Sequence, residues 1–108
     1  MPTLVFTYSV KQGILFDEFK KFLEQVDQPV TLALPSVISS RILRVQGDEM
    51  PFQCIEVLEI TSFEAWQRDS QLPEVKQVID QWPEYGEMAS VKAYSCVEFF
   101  AGEAAKQP

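Results

Sequence analysis

The chain has 108 residues, enough for one domain whose apolar core is stable without metals or disulfides. Hydrophobic residues make up 46% of the sequence and charged residues 23%, a globular composition that argues against an intrinsically disordered chain. The formal net charge of −7 argues against nucleic acid or an anionic membrane as a partner, and the absence of histidine excludes Ser-His-Asp and Cys-His catalysis and histidine metal sites.

The first predicted element is a strand, Thr3–Val10, in which apolar and polar side chains alternate. After a break at Gln12–Gly13, apolar side chains recur at helical spacing behind an acidic first turn. We expect this helix to end at Pro29, because proline cannot donate a backbone hydrogen bond. The following stretch, Val30–Val37, contains a further proline, and we interpret it as a packed connection between elements.

A hairpin is predicted next. Ile38–Gln46 is the second expected strand and Phe52–Ile60 the third, with a turn at Gly47–Glu49 between them. The short link predicts an antiparallel pair.

The second helix is predicted from its start signal. Thr61–Glu64 has the spacing of a capping box, in which we expect the threonine side chain to accept from the third helical N–H. The helix is expected to break at Leu72–Pro73, to restart, and to close at Pro83 and Gly86.

The last predicted strand is Ser90–Phe100, and the tail Ala101–Pro108 is expected to fray. The order of elements is therefore β-α-β-β-α-β, which predicts an α+β protein with a ferredoxin-like four-stranded antiparallel sheet and two helices. Repeats, low-complexity segments and linkers are absent from the sequence, so we expect one domain over residues 1–108.

Both faces of the predicted sheet carry large apolar side chains. In the third strand, Cys54 and Leu58 lie on one face while Ile55 and Val57 lie on the other. Two helices cover only one face, so we expect a second copy of the chain to cover the other across a two-fold axis. The alternative is that the connection after the first helix and the C-terminal tail cover it.

Cys54 and Cys96 are too far apart in sequence for a zinc site or a CxxC motif, so we expect two reduced, buried thiols and no metal. Reduced thiols suit a cytoplasmic location. The first residues lack the basic and apolar segments of a secretion signal, and no segment approaches the ~20 apolar residues of a membrane-spanning helix.

The second helix also carries a family resemblance, in Ser62–Gln67, Leu72–Val75, Asp80 and Pro83. These segments resemble the broken helix of EthD-like and antibiotic-biosynthesis-monooxygenase-like proteins in the dimeric α/β-barrel superfamily. Within it, the chain most resembles the small RedY-like, HapK-type proteins. The resemblance implies a homodimer with a pocket between the sheet and helices of each subunit. It also implies action on polycyclic, aromatic or lactone-type compounds without a metal or flavin cofactor.

Glu56 is the strongest candidate for chemistry, because its carboxyl lies on an otherwise apolar strand face. Burial raises a carboxyl pKa and makes the group a general acid or base near neutral pH. The alternative is a structural ion pair with Arg41 or Arg44. We predict Glu56 as the acid–base group and Tyr8 as an orienting hydrogen-bond donor. The predicted substrate-binding residues are Phe6, Trp66, Tyr94 and Arg44. Core packing is the alternative role of the aromatic residues.

Two functional hypotheses follow. The first is a small-molecule enzyme of secondary metabolism or catabolism that acts on a flat aromatic, polyketide-like or pyrrolic compound by proton transfer, cyclisation or oxidation without a cofactor. The second is a non-catalytic homodimer that binds or stabilises a pathway intermediate. A cavity faced by Glu56 or a tyrosine favours the enzyme, whereas a packed interior with Glu56 in an ion pair favours the binding protein.

Overall fold

The computed structural model describes residues 2–47 and 49–105. Asp48 of the predicted turn and residues 106–108 of the predicted tail lie outside these ranges. In chain order the elements are strand β1 (Pro2–Tyr8), helix α1 (Phe16–Phe22), a π-helical turn (Leu23–Asp27), helix α2 (Gln28–Leu32), strands β2 (Val37–Arg44) and β3 (Cys54–Ile60), helices α3 (Phe63–Asp69) and α4 (Pro73–Gln81), 3₁₀ turns at Trp82–Glu84 and Met88–Ser90, and strand β4 (Lys92–Val97).

The four strands form one sheet in the order β2-β3-β1-β4, and every neighbouring pair is antiparallel. This arrangement confirms the predicted ferredoxin-like fold and the predicted β2–β3 hairpin. In the central pair, Phe6 lies opposite Glu56 and Tyr8 lies opposite Cys54. Directly opposed residues share a face, so the side chains of these four residues all point toward the helices.

The core lies between the sheet and the helices. Its larger cluster consists of Tyr8, Phe19, Phe22, Leu23, Cys54, Val78 and Trp82, and the smaller one of Leu4, Leu58 and Ile60. The rings of Tyr8, Phe19 and Trp82 meet edge to face with centroids 5.1 to 5.8 Å apart. Each such pair contributes about 0.5–1.5 kcal/mol beyond the burial of its area. The Tyr8 ring is therefore held from two sides.

The first helix does not end at Pro29, and that prediction is wrong. The chain continues through the π-helical turn into α2, where Pro29 is the second residue. In this turn the backbone N–H of Gln28 donates to the carbonyl of Leu23, five residues earlier. A proline ring clashes with the carbonyl four residues before it in an α-helix, and the wider π turn relieves that clash. The predicted connection Val30–Val37 is consequently helical at its start.

The cap of α3 and the end of β4 also differ from the predictions, and the other strand limits differ by at most two residues. Ser62, rather than Thr61, caps α3, because its Oγ accepts from the Ala65 N–H at 3.0 Å. Strand β4 ends at Val97 rather than Phe100, because Val97 pairs with Pro2 at the start of β1, its neighbour in the sheet. The predicted break of the second helix at Leu72–Pro73 is confirmed, since α3 ends before it and α4 begins there.

The second face of the sheet is uncovered in the single chain. Opposed pairs place Val5 with Val57 and Leu43 with Ile55 on this face. Residues 98–105 are exposed, and the segment after α2 packs on the helical side, so neither covers it. The predicted two-sided apolar sheet is confirmed. No helix within the described ranges is long and apolar enough to cross a bilayer.

Gly86 is expected to be intolerant of a side chain. A Cβ at this position would lie 2.0 Å from Cζ3 of Trp82, whose ring is fixed by the edge-to-face contacts of the core. Gly86→Ala should lower the free energy of unfolding by about 1–3 kcal/mol, as overpacked cores do. Chemical denaturation measures this as a lower midpoint at an unchanged m-value. Gly102→Ala in the exposed tail is the control, and equal midpoints for the two variants would contradict the packing.

Candidate functional site

A cavity of about 300 Å³ lies between the sheet and helices α2, α3 and α4. This volume is in the range of small-molecule sites. Most of its lining is apolar and aromatic, and the polar exceptions are Tyr8, Asp27, Thr31 and Glu56. Ile79 and Met88 at its edge are 49% and 45% exposed, so the cavity opens to solvent on that side.

Glu56 and Tyr8 form a buried pair on the floor of this cavity. Their exposed fractions are 8% and 2%, and Tyr8 Oη donates to Glu56 Oε1 at 2.7 Å. Tyr8 follows Phe6, the residue opposite Glu56, by two positions, so the pair is a diagonal contact on one face of the central strands. The prediction placed both residues on apolar faces, and the structure brings them together.

The pKa of Glu56 is raised to about 7, mainly by burial and to a smaller extent by the neighbouring Asp27 carboxyl. Hydrogen bonds from Tyr8 and Gln28 favour the carboxylate and act in the opposite direction, but burial outweighs them. Burial and the adjacent Glu56 also raise the pKa of Tyr8, whose phenol therefore stays protonated and remains a donor. A carboxyl with a pKa near 7 can both take up and release a proton at neutral pH.

Asp27 and Gln28 are site residues that the sequence interpretation missed. The π-helical turn directs both toward Glu56, and Gln28 Nε2 donates to Asp27 Oδ1 at 2.8 Å and to Glu56 Oε2 at 3.4 Å. Ser40 Oγ donates to Gln28 Oε1 at 2.6 Å, which orients the amide so that its nitrogen faces the two carboxyls. Gln28 is thus the bridge between the two acidic groups.

The Asp27 carboxyl accepts a further hydrogen bond from Trp82 Nε1, 3.2 Å from Oδ2. The Thr31 hydroxyl lies 3.5 Å from Oδ1 and closer, at 3.0 Å, to the Asp27 backbone carbonyl, to which it donates. Burial raises the pKa of Asp27, and these hydrogen bonds only partly offset that effect. The sequence does contain a signal for Asp27: it follows Leu23 by four positions and so places a charged residue on the apolar face of the helix.

The four predicted substrate-binding residues are divided by the structure. Phe6 and Trp66 line the cavity, with ring centroids 6.5 Å apart. Tyr94 and Arg44 do not, which corrects their predicted placement. Tyr94 lies opposite Val5 on the uncovered sheet face, and the Arg44 guanidinium lies 3.8 Å from the centroid of the Phe16 ring on α1.

The predicted alternative of a structural ion pair at Glu56 is not seen in the described part of the chain. Its hydrogen-bond partners there are Tyr8 and Gln28. Arg41 is opposite Val57, so it points to the other face of the sheet. Among the described residues, the buried Glu56 carboxyl therefore has hydrogen-bond donors but no ion-pair partner, and it lies beside an open cavity.

The two cysteines are free. Burial raises the pKa of the Cys54 thiol to about 11, so this group is neutral and unreactive. Cys96 is only half-buried and lies opposite Thr3 on the uncovered face, which corrects the prediction of two buried thiols. Within residues 2–47 and 49–105, no three metal-ligating side chains lie together.

Fold and site together define a class: a small ferredoxin-like α+β domain with a ligand-sized cavity between its sheet and helices. The sequence matches the family profile of the REDY-like protein HapK over residues 2–102, and the chain belongs to this family. No curated protein sequence matches it.

Three solved structures are similar to this chain. HapK from Hahella chejuensis has a TM-score of 0.79 and 21% identity, covering 98% of this chain and 100% of that one. An EthD family protein from Bacillus halodurans has a TM-score of 0.73 and 15% identity over 92% and 99% of the two chains. A mutant of SnoaB, a cofactor-independent oxygenase from Streptomyces nogalater, has a TM-score of 0.74 and 12% identity over 93% and 94%. At these identities the likeness shows the fold.

The raised pKa of Glu56 is expected to make stability depend on pH. Between its ordinary pKa of 4.5 and about 7, the folded chain keeps a proton that the unfolded chain releases. The free energy of unfolding therefore falls as pH rises through this window, by about 3 kcal/mol for this group, and levels off above it. Glu56→Gln should remove most of that fall.

Urea denaturation at several pH values between 4.5 and 8 measures this effect. Glu64→Gln, on the exposed surface of α3, is the matched control and should keep the wild-type pH dependence. An unchanged slope in Glu56→Gln would contradict the assignment of a buried, proton-holding carboxyl.

Proposed function

We propose that this chain is a small-molecule enzyme that catalyses proton transfer on a flat, partly aromatic compound without a cofactor. The observation that carries this proposal is the Tyr8–Glu56 pair, 2.7 Å apart and buried beside an apolar cavity of about 300 Å³. A general base needs a pKa near the operating pH and access to its substrate, and Glu56 combines a pKa of about 7 with a place in the cavity lining.

In this proposal Glu56 is the acid–base group. Its carboxylate takes a proton from the bound compound, and the resulting carboxyl returns it at another position or to the product. Tyr8 holds the carboxylate in place through its hydroxyl, while the Phe6 and Trp66 rings supply flat surfaces for the compound. The apolar walls exclude water, which strengthens the electrostatic interactions at the site.

The same proton removal can initiate a cyclisation, or an oxidation in which dioxygen accepts the electrons of the resulting carbanion, and both reactions belong to the broader form of the proposal. SnoaB is described as a cofactor-independent oxygenase, and its likeness in fold supports chemistry of this kind on such a scaffold. A place in secondary metabolism or catabolism is consistent with membership in the REDY-like HapK family.

A non-catalytic binding protein is the second candidate, and one observation favours it. Both carboxyl oxygens of Glu56 accept hydrogen bonds within the chain, from Tyr8 and from Gln28. A buried carboxyl whose two oxygens are both hydrogen-bonded within the chain can have a purely structural role. The cavity would then hold a pathway intermediate without transforming it.

Glu56→Gln separates these two functions. A thermal-shift screen against quinones, lactones and pyrrolic aromatics would first identify a compound that stabilises the wild-type protein. Conversion of that compound, followed by absorbance and mass spectrometry, should fall by about 10²–10⁴-fold in Glu56→Gln, the usual contribution of a positioned base. Binding of the compound should persist. Full activity in the variant would contradict the proposal, and binding without conversion by the wild type would favour the second candidate.

We also propose that the chain forms a homodimer through its uncovered sheet faces. Tyr94 and Leu43 on this face are 49% and 41% exposed, beside the half-buried Val5, Ile55 and Val57. Contiguous apolar surface of this kind is unfavourable in water, and a second identical face buries it with two-fold symmetry. A cytoplasmic location is part of the same proposal, since free cysteines suit a reducing compartment.

Val57→Lys is expected to weaken the dimer, because it places a charge at the middle of the uncovered face. Analytical ultracentrifugation at micromolar concentration should show a dimer for the wild-type chain and a monomer for the variant. Gln67→Lys, at an exposed position of α3, adds the same single positive charge on the helical side and should remain dimeric. A wild-type chain that sediments as a monomer would overturn the dimer.

A further inference from the structure

We infer that the cavity selects a flat aromatic cation, meaning a ring system that carries a protonated nitrogen, and that it rejects anionic compounds. This inference rests on the proposed function, because it names the substrate class of the same cavity.

The charges of the cavity are all of one sign. Among the described lining residues, Asp27 and Glu56 are acidic and none is basic. Arg44 lies on the same face of the sheet as Glu56 but is engaged elsewhere, since its guanidinium lies over the Phe16 ring. No lining side chain can therefore neutralise the two carboxyls when they ionise, and a cationic ligand supplies the missing charge.

The hydrogen-bond donors of the site are engaged with the protein itself. The hydroxyl of Tyr8 and the indole N–H of Trp82 donate to Glu56 and Asp27, respectively. The Gln28 amide bridges the two carboxyls, and the Thr31 hydroxyl donates to the Asp27 backbone carbonyl at 3.0 Å. When the two carboxyls are ionised, what remains for a ligand is the set of unused lone pairs on their oxygens, which are then acceptors only. A ligand must bring its own donors, as a protonated nitrogen does.

The aromatic lining suits the same ligand. The ring centroids of Phe6 and Trp66 are 6.5 Å apart and their planes are inclined by 57°. The Trp82 indole is hydrogen-bonded to the Asp27 carboxyl. Electron-rich ring faces attract a cation, and they also cover a flat ring system. The charges, the engaged donors and the rings of the cavity therefore all favour a flat aromatic cation as the ligand.

A cationic substrate also makes the proposed proton transfer easier. Where the protonated nitrogen is doubly bonded to carbon, as in an iminium or a pyridinium, it acidifies the C–H bond next to that double bond, so that a carboxylate with a pKa near 7 can remove the proton. The proton moves to Glu56, the electron pair of the broken C–H bond forms a C=C bond, and the displaced C=N pair moves onto the nitrogen and neutralises it. Asp27, on the other side of the Gln28 bridge, balances the positive charge before this step.

A matched series of ligands tests the inference on the wild-type chain. The compounds are 2-naphthylmethylamine, 2-naphthylmethanol and 2-naphthoate, which share one ring system and are cationic, neutral and anionic at pH 7.5. Isothermal titration calorimetry should show the amine binding at least about tenfold more tightly than the alcohol, with the naphthoate weakest, because an unpaired buried charge favours its counterion.

Two variants locate the effect. In Asp27→Asn/Glu56→Gln the amine should lose its preference over the alcohol, while the alcohol binds about as before. If this double variant fails to fold, Asp27→Asn alone should reduce the preference. Val75→Trp fills the cavity from α4 and should abolish binding of both compounds. Alcohol or naphthoate binding as tight as the amine, lost in Val75→Trp, would overturn the cationic selectivity and leave the proposed function standing. Failure of all three compounds to bind the folded wild type would count against both.

Discussion

The cost of burying the Glu56 carboxyl is the constraint on which the rest of the site depends. A carboxylate in the middle of an apolar sheet face loses its hydration. Two hydrogen bonds partly replace it, one from Tyr8 on the adjacent strand and one from Gln28 on the helical layer. These donors are too few to make the group a permanent anion, so burial leaves its pKa at about 7. The group is consequently neutral or charged with little difference in free energy at neutral pH.

The π-helical turn supplies the second half of the site. An α-helical turn at this point would bring the ring of Pro29 against the carbonyl four residues before it. The wider turn accommodates the proline and presents both residues to Glu56. π turns are frequent at functional sites, and here the irregular turn coincides with the polar part of the cavity.

The two faces of the sheet have separate tasks. The inner face holds Tyr8 and Glu56 under the helices, where exclusion of water makes their interaction strong. The outer face carries apolar side chains that no described element covers, and pairing with a second copy is the proposed use of that face. Tyr94 and Cys96 belong to the outer face, and for that reason they take no part in the cavity.

Much of the fold was predictable from the sequence, because strands and helices have different periods and the boundaries carry Gly, Pro and capping residues. The element order, the hairpin and the broken second helix are confirmed. The predictions of a Thr61 cap and of a helix end at Pro29 are wrong, because Ser62 caps α3 and Pro29 lies inside α2. Glu56 could be singled out for the same reason: a charged residue interrupts an apolar alternation.

The membership of the site was decided by the tertiary structure. Alternation shows which residues of one strand share a face, but only the pairing register decides which face of the next strand joins them. The prediction therefore assigned Tyr94 to the wrong face of the sheet. Arg44 lies on the inner face but does not line the cavity, because its guanidinium stacks over the Phe16 ring of α1. Asp27 and Gln28 reach Glu56 through a π turn, whose extra residue has no periodic signal in the sequence. The sequence by itself determined the fold and the carboxyl at its centre, whereas contacts between distant segments decided which side chains surround it.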